Sequence, residues 1–306
     1  MPANVAASVR ARLTNIAQRQ GDVVDRVFLR YAIERLLYRL SRSTYRDQFI
    51  LKGAMLFSLW APLPYRSTGD LDLLGQGDPA PERLAAIFKA VCAETVEDDG
   101  LLFDPDSVRA ESMREDEDYP GARVMLTARL AGARLSLQID IGFGDAVTPD
   151  AADIDFPSML DFPLASLRAY PPETVVAEKL QAVVSLGMLN TRMKDFFDLW
   201  VITKTFAFDG VLLRQAISAT FARRGTAFPD AAPPALTAAF SSDPGKQAQW
   251  RAFLQRTTLR IAPEPLRELI EDIAAFAAPL LNDQAANLQW PAGGPWREVG
   301  RTAQRF

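Results

Sequence analysis

Hydrophobic and polar positions repeat with two different periods along this chain, and the switch between them divides the sequence. Val24, Val27, Phe28, Tyr31, Leu36, Leu37 and Leu40 fall at helical spacing and predict an amphipathic helix over 24–42, with Arg26, Arg30, Arg35 and Arg39 as its solvated basic face. Phe49-Ile50-Leu51 forms a short apolar segment leading into Lys52-Gly53 and a helical run from Ala54 to Trp60. Pro62, Pro64 and Gly69 punctuate a loop before the strand-like Asp70-Leu71-Asp72-Leu73-Leu74. Pro79 and Pro81 suit the first turn of a helix reaching about Glu94, followed by an acidic surface loop and an irregular strand.

The clearest strand is 134–143, where Leu135, Leu137, Ile139, Ile141 and Phe143 alternate with Arg134, Ser136, Gln138, Asp140 and Gly142. It follows a strand over 123–130 across Ala131-Gly132-Ala133, which reads as a hairpin. Past a linker holding Asp153, Pro157 and Pro163 the pattern turns helical, with segments at 172–186, 191–206, 211–222, 245–257 and 263–281. A domain boundary is therefore expected near 160, dividing 1–160 from a mostly helical 161–306. The tail from Asn282, with Trp290 and Trp296, has no periodicity.

Composition narrows the chemistry. The chain has 306 residues, no histidine and one cysteine, which removes the commonest general base and argues against disulfides, thiolate zinc sites and Cys/His nucleophiles. Carboxylates, lysines and hydroxyls remain, an inventory that suits a hard cation such as Mg²⁺. The formal net charge of −4 hides an arginine-rich first fifty residues and an acid-rich 94–118, so a polyanion could be bound locally. The longest apolar runs, such as Ile273 to Leu281, fall far short of the ~20 residues of a membrane span, and no leader pattern opens the chain. A cytoplasmic protein with no membrane partner is expected.

Asp70 and Asp72 lie two apart in an extended segment and project from one face, with Leu71 and Leu73 turned to the core. Asp140 reaches that face if its strand pairs in suitable register. Carboxylates converging in this way repel one another unless a cation sits between them, the arrangement that holds Mg²⁺ against a triphosphate. Gly53, at a strand-to-helix junction, would let backbone N–H groups approach phosphate oxygens, and Ser67 and Thr68 add hydroxyls. Lys179 and the pair Asp195 and Asp198, one turn apart on the next helix, read equally as an interhelical salt bridge.

The ordered set Leu51-Lys52-Gly53-Ala54, Arg66-Ser67-Thr68-Gly69-Asp70-Leu71-Asp72-Leu73 and Ile139-Asp140-Ile141 resembles the signature of the nucleotidyltransferase superfamily. Tyr170 to Leu180, containing Glu178-Lys179, and Arg192-Met193-Lys194-Asp195-Phe196-Phe197-Asp198-Leu199 resemble two further motifs of its AbiEii/MenT toxin branch. Ala54 stands where many members carry a second Gly or a Ser, and the gap from Gly53 to Asp70 is long. The resemblance spans roughly 45–205 and implies an α+β fold, a mixed β-sheet flanked by helices, followed by a mostly helical domain.

It further implies metal ligation of Mg²⁺, or Mn²⁺, by Asp70 and Asp72, with Asp140 as a third candidate. Lys52, Gly53, Ala54, Ser67, Thr68 and Lys179 would bind the nucleotide, and either Asp195 or Asp198 would support catalysis. The implied reaction moves NMP from an NTP to an RNA acceptor, the tRNA 3′ end, blocking translation unless a cognate antitoxin intervenes. Arg26, Arg30, Arg35, Arg39 and Arg66 are the candidate RNA contacts. Transfer to a protein or small molecule, and a silent nucleotide- or RNA-binding module, are the competing readings.

Overall fold

Val9, Leu13 and Ala17 recur every four residues along Val5–Gln20 (α1) and are buried. So thin a stripe in a segment of Gln, Arg and Asn carries almost no periodic signal, and this helix was absent from the sequence reading. Its ends were legible: the Asn4 side chain caps Ala7 N at 3.0 Å, and Gly21 closes it. The computed structural model describes residues 4–60, 69–113, 121–256, 263 and 265–299. These fall into two compact units, Met1–Asp145 with Ala151–Tyr170, and Ala146–Asp150 with Pro171–Phe306.

In the first unit α1 is followed by Val24–Arg42 (α2), Phe49–Lys52 (β1), Leu56–Trp60 (α3), Asp70–Gly75 (β2) and Pro81–Cys92 (α4). Then come five strands, Leu101–Met113 (β3), Gly121–Leu130 (β4), Ala133–Phe143 (β5), Ala152–Phe156 (β6) and Ala165–Ala169 (β7). Together the strands build one seven-stranded sheet in the order β3-β4-β5-β2-β1-β7-β6. β2 runs parallel to β5 and β1 parallel to β7, and the other neighbours are antiparallel, so the sheet is mixed as the family resemblance implied.

β6 and β7 replace the expected linker. Ala165-Ser-Leu-Arg-Ala169 has few good strand formers, yet it is held between β1 and β6 with alternate residues buried. Pairing on both sides overrides its weak propensity. One face of the sheet, carrying Leu71, Leu73, Val124, Leu137, Ile139 and Ile141, is buried beneath α2 and α4. Each such side chain contributes about 1.5–3 kcal/mol on burial.

α2 carries the largest departure from expectation. Arg35 and Arg39 are 1% and 6% exposed, not solvated. Arg35 Nε and Arg39 Nη1 donate to Asp99 Oδ2 at 3.1 and 2.6 Å, and Arg35 lies 4.2 Å from the Tyr38 ring centroid. Buried Glu34 accepts from Ser158 Oγ and Met159 N, so two cations and two carboxylates are enclosed together. Isolated charges in such a place are very costly, whereas a paired and hydrogen-bonded set is tolerated. The periodicity of α2 could not show this, because Asp99 and Met159 lie 60 and 125 residues from their partners.

The second unit is helical: Pro172–Leu186 (α5), Met193–Thr205 (α6), Gly210–Arg223 (α7), Ala238–Ser242 (α8), Pro244–Arg256 (α9) and Leu266–Leu281 (α10). Phe208–Asp209 (β8), Leu288–Trp290 (β9) and Arg297–Glu298 (β10) add a small three-stranded sheet. The unperiodic tail is thus packed: Trp290 and Trp296 lie 4.9 and 5.6 Å from the Phe276 ring, and Trp290 Nε1 donates to Thr203 O at 2.8 Å. Among the described residues no helix is long and apolar enough to cross a membrane.

Cys92 closes α4 from the buried side, and burial pushes its thiol up to about 12. Native protein at mildly alkaline pH should therefore react with a disulfide reagent only at the rate of unfolding. Rapid stoichiometric labelling without denaturant would show that α4 is not packed as described.

Candidate active site

In the first unit the sheet's second face carries the predicted carboxylates. Asp70 pairs with Gln138 and Asp72 with Asp140 across β2 and β5, and Lys52 pairs with Asp72 across β1 and β2. Partners in register share a face, so Asp70, Asp72, Asp140 and Lys52 stand on one side, opposite buried Leu71 and Leu73. Asp70 is exposed and Asp72 half-buried.

Gly53 follows β1 directly, at φ +73°. A Cβ built there would lie 2.0 Å from Asp72 Oδ2 and 2.7 Å from Asp72 Cβ. The space left by the missing side chain is thus filled by the Asp72 carboxylate, a reason for glycine that the sequence reading had assigned to a phosphate. Ala54 is buried behind it. Lys52 Nζ, half-buried, donates to Asp145 Oδ2 at 2.7 Å and lies 5.8 Å from the Tyr170 ring. Asp145 was missed: it stands just past the end of the β5 alternation, with no motif to mark it.

Asp140 is in the expected register but differently employed. Arg123 Nε and Nη2 donate to its two oxygens at 2.8 and 2.9 Å, and Gln138 Nε2 donates as well. Hydrogen bonding to Asp140, with Asp70 and Glu111 adding to the field, raises the Arg123 pKa. The expected three-carboxylate cluster is therefore corrected: among the described residues no group of three acidic, His or Cys ligands is placed to hold an ion. What remains is the pair Asp70 and Asp72. Its all-oxygen character suits Mg²⁺ or Mn²⁺, which take one or two protein carboxylates and complete their shell with water and substrate phosphates.

In the second unit, Lys179 Nζ on α5 donates to Asp195 Oδ1 and to Asp198 Oδ2 on α6, both at 2.8 Å. Asp198 is fully buried and Asp195 is 7% exposed. Burial opposes the lysine's charge, but Asp198 and then Asp195 outweigh it, so its pKa is raised. Both acids named in the sequence therefore meet Lys179. Neighbouring Glu178 pairs with Arg224 at 3.1 Å.

A family model described as "Nucleotidyl transferase AbiEii toxin, Type IV TA system" matches residues 35–275. The chain belongs to this family. It is accordingly a nucleotidyltransferase of the AbiEii toxin type, with an NTP as donor and a toxin–antitoxin system as its setting. Two crystal structures from Helicobacter pylori resemble this AbiEii chain. One, described as a "putative nucleotidyltransferase", is 17% identical with TM-score 0.49, covering 83% of this chain and 93% of that one. The other, JHP933, is 16% identical with TM-score 0.49, covering 84% and 92%. The comparison with curated proteins gives no match.

The predicted RNA contacts of this AbiEii chain fare unevenly. Arg35 and Arg39 are excluded as surface contacts by their burial against Asp99. Arg30 is mostly enclosed, 3.2 Å from Asp22, and burial lowers its pKa. Arg26 alone of the four keeps about half its side chain exposed, at 48%. Arg66, Ser67 and Thr68 lie outside the described residues.

Proposed function

We propose that this chain transfers a nucleoside monophosphate from an NTP to the 3′ end of an RNA, that of tRNA, in a reaction dependent on Mg²⁺ or Mn²⁺, and so blocks translation. The observation that carries the reading is the nesting of Asp72 against Gly53, with Asp70 one pleat away on the same open face. A carboxylate fixed by backbone on one side keeps its oxygens in one place, which two-point ligation beside a triphosphate requires. A divalent ion held there would neutralise the triphosphate and lower the pKa of the attacking hydroxyl. Asp70 is the more exposed of the two carboxylates. Lys179 is assigned to the NTP phosphates by family resemblance. Its two carboxylate partners give it a structural task as well, which the Lys179 variants below separate.

The test is transfer of label from each α-labelled NTP to total tRNA with and without Mg²⁺, using the intact chain and Asp70→Ala. Label from a preferred NTP, lost in the variant and on chelation, is expected. Label appearing instead on protein or on a small molecule would overturn RNA as the acceptor, and metal-independent transfer would overturn the role of Asp70 and Asp72.

A further inference from the structure

We propose that the exposed face of the β4–β5 hairpin, through Arg129 and Arg134, binds the phosphate backbone of the RNA acceptor. This inference rests on the reading of the acceptor as RNA. Arg129 and Arg134 are directly opposite each other in the β4–β5 register, and both are exposed. Like charges facing one another across a strand pair repel, and among the described residues neither has an ion-pair partner. The other arginines of this face are satisfied within the sheet: Arg123 by Asp140, and Arg109 by the carbonyls of Asp106 and Val108. Two exposed guanidiniums on directly paired positions can converge on one phosphate, since guanidinium geometry matches phosphate oxygens two at a time.

Their position relative to the carboxylates gives the pair its direction. Along β5 the same face presents Arg134, Ser136, Gln138 and Asp140, and along β4 it presents Arg129, Thr127, Met125 and Arg123. Gln138 is level with Asp70, and Asp140 with Asp72. Six residues of strand separate Arg134 from Asp140, a distance of about 20 Å. A strand whose 3′ end lies at Asp70 and Asp72 and which runs along β5 brings upstream phosphates to Arg129 and Arg134. Leu102, level with Arg129 on β3 and 74% exposed, offers an apolar plate beside them for a base or ribose. At the hairpin tip Arg10 donates to Ala131 O at 2.7 Å, adding a third cation at that end. A polyanion relieves the repulsion and is long enough to run from the arginine pair to the carboxylate end, which a single bound phosphate is not.

The experiment measures binding of fluorescent total tRNA by anisotropy across a salt series, for the full chain and for Arg129→Gln/Arg134→Gln. Binding of the labelled NTP and the melting temperature are followed in parallel. Expected is an affinity about tenfold weaker at low salt, with the slope of log K against log[salt] shallower by about 1.4–1.8, corresponding to two lost phosphate contacts. NTP binding should stay at the level of the intact chain. The charge-keeping Arg129→Lys/Arg134→Lys should recover most of the slope. An unchanged slope and affinity in the Gln variant would overturn the inference, as would an intact chain that does not bind tRNA at low salt, or one whose Gln variant loses an acidic protein and keeps RNA. Absence of transfer with tRNA binding intact would sink the proposed reaction and leave this surface standing.

Discussion

Gly53→Val should reduce nucleotidyl transfer by about 100-fold or more, as deeply as removal of the Asp72 carboxylate itself. Displacing a reacting group by about 1 Å is enough for a loss of that size. The valine Cβ would have to occupy a point 2.0 Å from Asp72 Oδ2 and 2.6 Å from its Cγ, and the 2.7 Å approach to Asp72 Cβ means that rotating the carboxylate away does not clear the space. A backbone shift between β1 and β2 is required. Strain at φ +73° adds about 1–3 kcal/mol of destabilisation. Gly21→Val isolates that strain, because Gly21 has φ +65° and nothing within 4 Å of an added Cβ. It should melt at a lower temperature and transfer normally. If Gly53→Val and Gly21→Val keep equal activity, the nesting of Asp72 is irrelevant to the reaction.

Lys179→Met should destabilise the second unit by about 3–5 kcal/mol, because it leaves Asp195 and fully buried Asp198 facing one another without their cation. Methionine keeps the apolar stem, so the loss reads charge and not volume. Adding Asp198→Asn to Lys179→Met should restore part of the stability, since it removes the fully buried carboxylate and leaves only Asp195 without the cation. The sign of the pH dependence follows from the raised lysine pKa. The folded value lies above the ordinary 10.5, so the triad's contribution is complete below 10.5 and is lost as pH climbs through the folded value. The intact chain should therefore show a stability loss confined to strongly alkaline solution that Lys179→Met lacks. Denaturant titrations at neutral and high pH measure both effects. Restored stability in the double variant with transfer still absent assigns the Lys179–Asp198 pair to the reaction. Transfer restored along with stability would make its task wholly structural.

Much of the architecture was visible as pattern. The 134–143 alternation is β5, and its register against β2 sets Asp72 level with Asp140, which meets the condition for Asp140 to share that face. Five helices of the second unit follow their apolar periods, and short Ala238–Ser242 is an addition to them. What the pattern could not carry was pairing at long range. Arg35 and Arg39 look like a solvated face until Asp99 is brought beneath them, and Asp140 looks like a third ligand until Arg123 on the adjacent strand takes it. β7 is invisible because its residues become a strand only by filling the gap between β1 and β6. Gly53 was singled out for the absence of a side chain, and Asp72 is the neighbour that takes up that space.

The order in which these partners are made sets a timetable for the ribosome. β1 and the buried charges of α2 are complete near residue 52, but they close against Met159 and β7, which ends at Ala169. Roughly 120 residues must follow β1 out of the exit tunnel first, about 6–24 s at 5–20 residues per second. During that interval β1, which leads into Gly53, lacks one of its two neighbours. The sheet that carries Asp70 and Asp72 is thus complete only when more than half of the chain has been translated.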